Sequence, residues 1–326
     1  MSKFLAVDRL EVLVLVDNVT DSLSTGTSVV TTEWAGLSAA GRLPVLSGSC
    51  TCCAHHGLSL LITARVGSAA HTVLFDTGPE AATFLRNAEI LGVDFAAIDA
   101  VVLSHGHWDH GGGLVAAIER MSRARRRQDV ECFVHPGMFA ERALQRPNGE
   151  LLRFESVPDA TDLAKAGARV VNTREPQSIA DGAFYLSGEI PRVTPYETGL
   201  PGHVRRRDDG RSWEPDPLIL DERFVSVHVK GKGQVVFSAC SHAGIVNVLE
   251  HARSVFPSVP LYGVMGGFHL SGATERIIPE TVADLQRFGL RLLAPGHCTG
   301  WRAVNAMARA FGDELVPSAV GKRYVV

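Results

Sequence analysis

Short apolar runs, rich in β-branched residues and each ending in a polar turn, constrain the architecture of this chain more than any other feature. Residues 11–17, Glu-Val-Leu-Val-Leu-Val-Asp, read as a buried strand closed by Asp17 and Asn18. Residues 58–66 and 71–76 read as two strands about a Gly67-Ser68 turn, the second ending in Phe75-Asp76-Thr77-Gly78. Residues 100–104 form a further strand, and others are expected at 130–134, in a hairpin over 223–239, at 260–265 and at 290–294. Helices are expected from about Pro79 to Leu91, from Gly113 to about Arg127, and near 244–255, 279–288 and 301–311. Strands come first and then alternate with helices in two comparable halves, without a repeat at the residue level. This order fits the α/β class as a four-layer αββα sandwich, two sheets face to face with helices outside, built as a single domain over 1–326. The polar, Pro- and Gly-rich stretch at about 188–217 is too long for a simple connector and is expected to be an active-site loop.

The strand at 100–104 runs into Ser104-His105-Gly106-His107-Trp108-Asp109-His110-Gly111-Gly112-Gly113. Neutral imidazole and carboxylate are the ligands that hydrolytic metals prefer. On extended backbone, residues i and i+2 point the same way, so His105 and His107 can hold one ion. Asp109 and His110 fall on the turn and can reach a second. With only 13 histidines in 326 residues, three of them within six positions beside an aspartate is not a chance polar turn.

His-x-His-x-Asp-His at a strand-to-helix turn resembles the signature of the metallo-β-lactamase superfamily. Phe75-Asp76-Thr77-Gly78 is similar to the family's earlier Asp-containing turn, which implies that Asp76 orients the metal loops rather than ligating. Within the superfamily the chain resembles the 7,8-dihydropterin-6-methyl-4-(β-D-ribofuranosyl)aminobenzene-5'-phosphate synthase-like branch. His56-Gly57-Leu58-Ser59, Cys240-Ser241-His242-Ala243-Gly244-Ile245, Gly266-Gly267-Phe268-His269-Leu270 and Pro295-Gly296-His297-Cys298-Thr299-Gly300 carry that resemblance. It implies one more histidine for each ion: His242 for the first and His297 for the second. Many members also carry a bridging aspartate after the hairpin. Here that stretch reads Ser238-Ala239-Cys240-Ser241-His242, so His242, Cys240 or solvent alone takes its place.

The resemblance implies a metal-dependent hydrolase with two divalent ions, zinc by the nitrogen-rich donor set, with iron or manganese as alternatives. Metal-bound hydroxide would be the nucleophile, Asp109 would orient it, and His269 would protonate the leaving group, bind substrate or ligate. An iron-dependent redox enzyme and a non-catalytic metal-dependent binding protein are the competing readings. The substrate is expected to be a small anionic phosphodiester, ester, lactone or amide. Arg192 and Arg206, with Arg205 and Arg207, could attract its charge, or form a solvated loop balanced by Asp208 and Asp209; His56 could line the pocket, cap a helix or serve the core. His135 reads as structural, and Arg123, Arg125, Arg126 and Arg127 as a solvated helix end. Cys50, Cys52 and Cys53 before His55-His56 could bind another metal or be plain loop thiols.

A formal net charge of −3 gives no global pull toward nucleic acid or membrane, which leaves a small molecule as the expected partner and a homo-oligomer open. No uncharged apolar run approaches the ~20 residues of a membrane span. Charge interrupts the first residues before any apolar signal segment forms. Six cysteines, three of them crowded where they cannot all pair locally, fit a reducing, cytoplasmic setting.

Overall fold

In the computed structural model, which describes residues 4–326, period-2 alternation sorts the strands' apolar side chains into layers. Along Arg9–Val16, Leu10, Val12 and Val14 face one way and Leu13 and Leu15 the other. The first set joins Leu60, Ile62, Val73, Phe75 and Val102 in a core shared with Phe184, Val225, Val227, Val235, Phe237 and Met265 of a second sheet. Leu13 and Leu15 instead pack with Leu74 and Val101 beneath the helices Ala81–Leu91 and Leu114–Arg125, through Phe84, Leu114, Ile118 and Met121. On the far side, Tyr185, Phe224, Val236, Val264 and Leu293 meet the helices Ile245–Val255, Ile278–Gln286 and Trp301–Phe311. Three apolar cores between four layers make the αββα sandwich. Each fully buried large aliphatic or aromatic side chain contributes about 1.5–3 kcal/mol.

The first sheet has eight strands, in the order 168–172, 130–134, 100–102, 69–75, 59–66, 9–16, 323–325 and 30–31. The second follows the order 177–179, 184–186, 225–229, 233–238, 261–267 and 292–296, with Ala6–Val7 pairing alongside Val225–Val229. In the first, Ala69–Phe75, Ala100–Val102 and Val130–Val134 run parallel. In the second, so do Gly233–Ser238, Leu261–Gly267 and Leu292–Gly296. Asp76, His105, Cys240, His242, His269 and His297 all lie within a few residues past the carboxyl ends of these strands. That edge is where open α/β sheets bind ligands.

The structure corrects the 188–217 segment. It is not irregular throughout: His203–Arg206 and Trp213–Pro215 form a hairpin, and this joins Arg142–Gln145 and Leu151–Arg153 in a small third sheet. The segment is pinned by Glu197, buried against the helix Ile245–Val255, whose carboxylate accepts from Val246 N at 2.9 Å and Asn247 N at 2.8 Å. Burial pushes the Glu197 carboxyl up to about 7, against the pull of those two amides. Its ordinary value is 4.5, so between pH 4.5 and about 7 the folded chain holds a proton that the unfolded chain has lost. Stability should therefore fall as pH rises through that window. Denaturant unfolding of wild type and Glu197→Gln should diverge across it, with the glutamine variant lacking this slope; a pH-independent gap would remove Glu197 as the cause.

No described helix is long and apolar enough to cross a membrane.

Candidate metal centre

The turn after Ala100–Val102 folds against the turn at Asp76, and their hydrogen bonds fix where each imidazole keeps its proton. Asp76, at φ 60°, accepts from Ser104 N, Ser104 Oγ and His110 Nδ1, each at 2.7 Å. Because Ser104 gives its proton to Asp76, its oxygen accepts from His105 Nδ1 at 2.9 Å. His105 and His110 thus carry their protons on Nδ1 and point Nε2 lone pairs inward. His203 Nδ1 donates to the Asp216 carbonyl at 2.7 Å, so its Nε2 accepts from His107 Nε2 at 3.1 Å. The lone pair of His107 is then on Nδ1. Gly106 separates the two histidines where a Cβ would fall 2.2 Å from the Met138 carbonyl oxygen, and its N–H donates to Asp221 at 2.9 Å.

Asn18 performs the same office for the second group. Its Oδ1 accepts from Gly57 N at 3.1 Å, and its Nδ2 donates to the His297 carbonyl at 3.1 Å, which fixes the amide's orientation. Oδ1 therefore also accepts from His297 Nδ1 at 3.0 Å, leaving Nε2 of His297 as the lone pair, 3.3 Å from Asp109 Oδ2. Nδ2 donates to His56 Nδ1 at 3.1 Å, so His56 Nε2 carries a proton and faces Asp109 Oδ2 at 3.3 Å. His56 lines the site as a donor that steadies Asp109, and its half-exposed ring marks the solvent side. Asp17, one residue earlier, accepts from His297 N at 2.9 Å.

Donor atoms of His105, His107 and His242 all lie within 4.8 Å of one another, and so do those of His56, Asp109 and His297. His110 Nε2 stands 3.7 Å from Asp109 Oδ2, and its ring lies 4.4 Å from that of His105 and 4.9 Å from that of His297. Nε2 of His105, both ring nitrogens of His242 and Nε2 of His297 are buried without a hydrogen-bond partner. A buried polar nitrogen left so costs about 1–3 kcal/mol, and several converging ones fit a cation that would satisfy them together. Burial first, and then the neighbouring imidazoles, with Arg142 acting on His105 and His107, holds His105, His107 and His242 well below their ordinary pKa, in the neutral form that ligates. Burial also works against a charged His110, yet the Asp109 and Asp76 carboxylates raise it to about 9.

His269, at φ 44°, sits with its ring 4.4 Å from that of His242, and its Nδ1 has no hydrogen-bond partner. His242 and His269 share a narrow cleft with Tyr196, Thr198, Thr274 and Arg276. Cys240 Sγ stands 3.4 Å from His110 Nε2, in the stretch that lacks a carboxylate.

The other candidate residues make contacts of their own. Nη1 and Nη2 of Arg192 donate to the carbonyl oxygens of Ile190 and Leu218, so they brace its own loop, while Nε has no hydrogen-bond partner. Arg206 donates to the Gly210 carbonyl and covers the Trp213 ring at 5.4 Å, within the small sheet. Arg205 and Arg207 pair with Glu214. Cys53 is tied to Asn87 and Cys52 N to Glu33, and among the described residues none of Cys50, Cys52 and Cys53 joins a metal-competent cluster. His135 accepts from Gly137 N at 3.0 Å, a local cap. Asn18, Asp17, Ser104, His203 and Arg276 were missed; of these, only Asp17-Asn18 carried a signal, as a strand-end polar pair like that at Asp76.

Residues 71–180 match a family profile described as a β-lactamase superfamily domain. The chain belongs to the metallo-β-lactamase superfamily. It is 30% identical over 272 residues to the 7,8-dihydropterin-6-methyl-4-(β-D-ribofuranosyl)-aminobenzene-5'-phosphate synthase of Methanocaldococcus jannaschii, covering 82% of this chain and 88% of that protein. It is also 27% identical to an uncharacterized protein of the same organism, over 82% of this chain and 93% of the other. Among solved structures, a metal-dependent hydrolase of the β-lactamase superfamily, Tm1679, superposes with a TM-score of 0.70 at 23% identity, covering 96% of this chain and 98% of that one, and so shares the fold.

Asn18 leads to a direct expectation. Outer partners of ligating histidines typically affect affinity by about 10–100-fold. Asn18→Ala should weaken retention of one ion by that factor in a chelator competition while the other is held as before. Unchanged release of both would mean that His297 needs no orientation.

Proposed function

We propose that the chain is a metal-dependent hydrolase acting on a small anionic substrate through a dinuclear site. The observation that carries this is the convergence of buried imidazole lone pairs, aimed by Asp76, Ser104, His203 and Asn18, onto a space that also receives Asp109. His105 Nε2, His107 Nδ1 and His242 would hold one ion; Asp109, His110 and His297 would hold the other. Ions bound there would lower the pKa of a coordinated water toward ~7 and polarise the scissile group.

The chain's own residues supply the rest. Asp109, held by His56 on its outer side, aligns the nucleophilic water. His269 stands beside His242 at the cleft, placed to give a proton to the leaving group. Arg276, exposed at the same cleft, replaces Arg192 and Arg206 as the cation positioned to meet substrate charge. The rings of His107, Phe154 and His203 pack together beside the first ion's ligands, with centroids 5.1–5.9 Å apart.

A second reading, condensation rather than hydrolysis, is favoured by the 30% identity to a synthase whose named product bears a ribosyl 5'-phosphate. One experiment separates them. The zinc-, iron- and manganese-loaded proteins are assayed against phosphodiesters, lactones and thioesters, with products identified by mass. Chelator-sensitive uptake of one water per bond broken supports hydrolysis, and a product that joins two of the offered molecules supports condensation. Turnover indifferent to metal removal contradicts both readings.

A further inference from the structure

Two thiols in this site have no place in the histidine and aspartate set. Cys240 Sγ lies within 4.8 Å of donor atoms from three sides: His105 with His110, His242 with His269, and His297 with Cys298. It therefore sits between the two ligand groups, where a bridging carboxylate is missing. Cys298 follows His297, and its Sγ stands 3.3 Å from Cys240 Sγ. Both residues are buried, and neither is in a disulfide.

Buried thiols are often small core fillers, and Cys132 is one here, enclosed among Val130, Val134 and Leu163. Cys240 and Cys298 belong to none of the three apolar cores. Their neighbours are the imidazoles of His110, His297 and His269. The backbone also makes room for them. A Cβ on Gly267 would lie 2.7 Å from Cys298 Sγ and 3.1 Å from His297 Cδ2, so only glycine lets the strand Leu261–Gly267 pass this close. The turn itself is fixed, with Thr299 Oγ1 donating to the Gly296 carbonyl at 2.7 Å and Ser271 Oγ to the Cys298 carbonyl at 3.0 Å.

We propose that Cys240 and Cys298 are metal ligands, Cys240 as a thiolate shared between the two ions and Cys298 as a terminal thiolate on the ion held by Asp109, His110 and His297. This rests on the dinuclear reading above. Each thiol releases its proton to solvent as it ligates, so metal uptake expels protons and strengthens with pH. Two soft donors select zinc or iron over manganese at that position, and a thiolate in place of a bridging carboxylate donates more charge to both ions.

X-ray absorption on the full-length zinc-loaded protein, kept reduced, tests this without any mutation. The expected spectrum has sulfur at about 2.3 Å alongside nitrogen and oxygen at about 2.0–2.2 Å. Cobalt substitution then assigns the sulfurs. Thiolate-to-cobalt absorption should be strong in wild type, weaker in both Cys240→Ser and Cys298→Ser, and absent in the double variant, with cobalt still bound. Two equivalents of metal with no sulfur in the shell would overturn the thiolate proposal and leave the dinuclear reading standing. A Cys298→Ser spectrum equal to wild type would overturn the part given to Cys298. Failure to bind any metal would overturn both.

Discussion

Replacing His242 by leucine should abolish metal-dependent turnover and yet leave the metal-free protein at least as stable as wild type. Both ring nitrogens of His242 are buried without a hydrogen-bond partner. Its ring lies within 5 Å of His105, His107 and His269, at centroid distances of 4.9, 4.8 and 4.4 Å. Leucine fills a similar volume and removes two unsatisfied polar atoms, each worth about 1–3 kcal/mol when left unpaired. The loss of one ion, by contrast, removes several kcal/mol of transition-state stabilisation, so kcat/KM should drop on the order of 10³-fold or more. His107→Ala and Asp109→Ala should lose activity to the same extent. A structural histidine would behave in the opposite way: the leucine substitution would destabilise the metal-free chain and spare catalysis. Chemical denaturation with and without chelator, paired with kinetics on whichever substrate the panel reveals, distinguishes the two.

Asp221→Ala should cost about 3–5 kcal/mol, the usual penalty for breaking a buried ion pair from one side. Asp221 and Arg142 pair directly, with side chains 3% and 2% exposed. Nε and Nη1 of Arg142 have no hydrogen-bond partner, and Nη2 donates to Asp221 and to the Gly137 carbonyl, so Asp221 is the carboxylate paired with its charge. Burial works against ionised Asp221, but the Arg142 guanidinium and the Gly106 amide hold its pKa below the usual carboxylate range. The same carboxylate joins three parts of the molecule: the Gly106 turn between His105 and His107, the strand Arg142–Gln145 of the small sheet, and the segment leading into Val225–Val229. Metal affinity should fall together with stability. Replacing Arg142 by methionine in the Asp221→Ala background should recover part of the stability, because the uncompensated charge is gone, but not the metal affinity, because Gly106 N remains without its acceptor. An unfolding midpoint unchanged in Asp221→Ala would show that the pair carries no weight.

The sandwich was legible because its strands are short, apolar and β-branched: a continuous run such as Val12–Val16 is what a strand covered on both faces requires. The ligand set was suggested by histidines placed just after such strands. What stayed hidden acts across the sequence. The hairpin His203–Arg206 and Trp213–Pro215 is charged and flanked by Pro and Gly, so its pattern is that of a loop, and only pairing with Arg142–Gln145 makes it sheet. His203 could not be singled out for the same reason: its partner, His107, is 96 positions away. Asn18 is separated from His297 by 279 positions, and no local spacing links them. Arg192 and Arg206 were legible as cations in a long loop, and not as donors to the carbonyl oxygens of Ile190, Leu218 and Gly210. Cys298 was legible as a residue and not as a thiol 3.3 Å from Cys240.

Elemental analysis of the purified full-length chain, before and after dialysis against chelator and reloading, tests the central claim most directly. The expected result is two equivalents of zinc or iron per chain, falling to one or fewer in the His242→Leu and His297→Ala variants, with proton release on reloading. A wild-type chain that retains less than a stoichiometric amount of any transition metal, and takes up none when it is offered, would contradict the reading of these histidines as a metal centre.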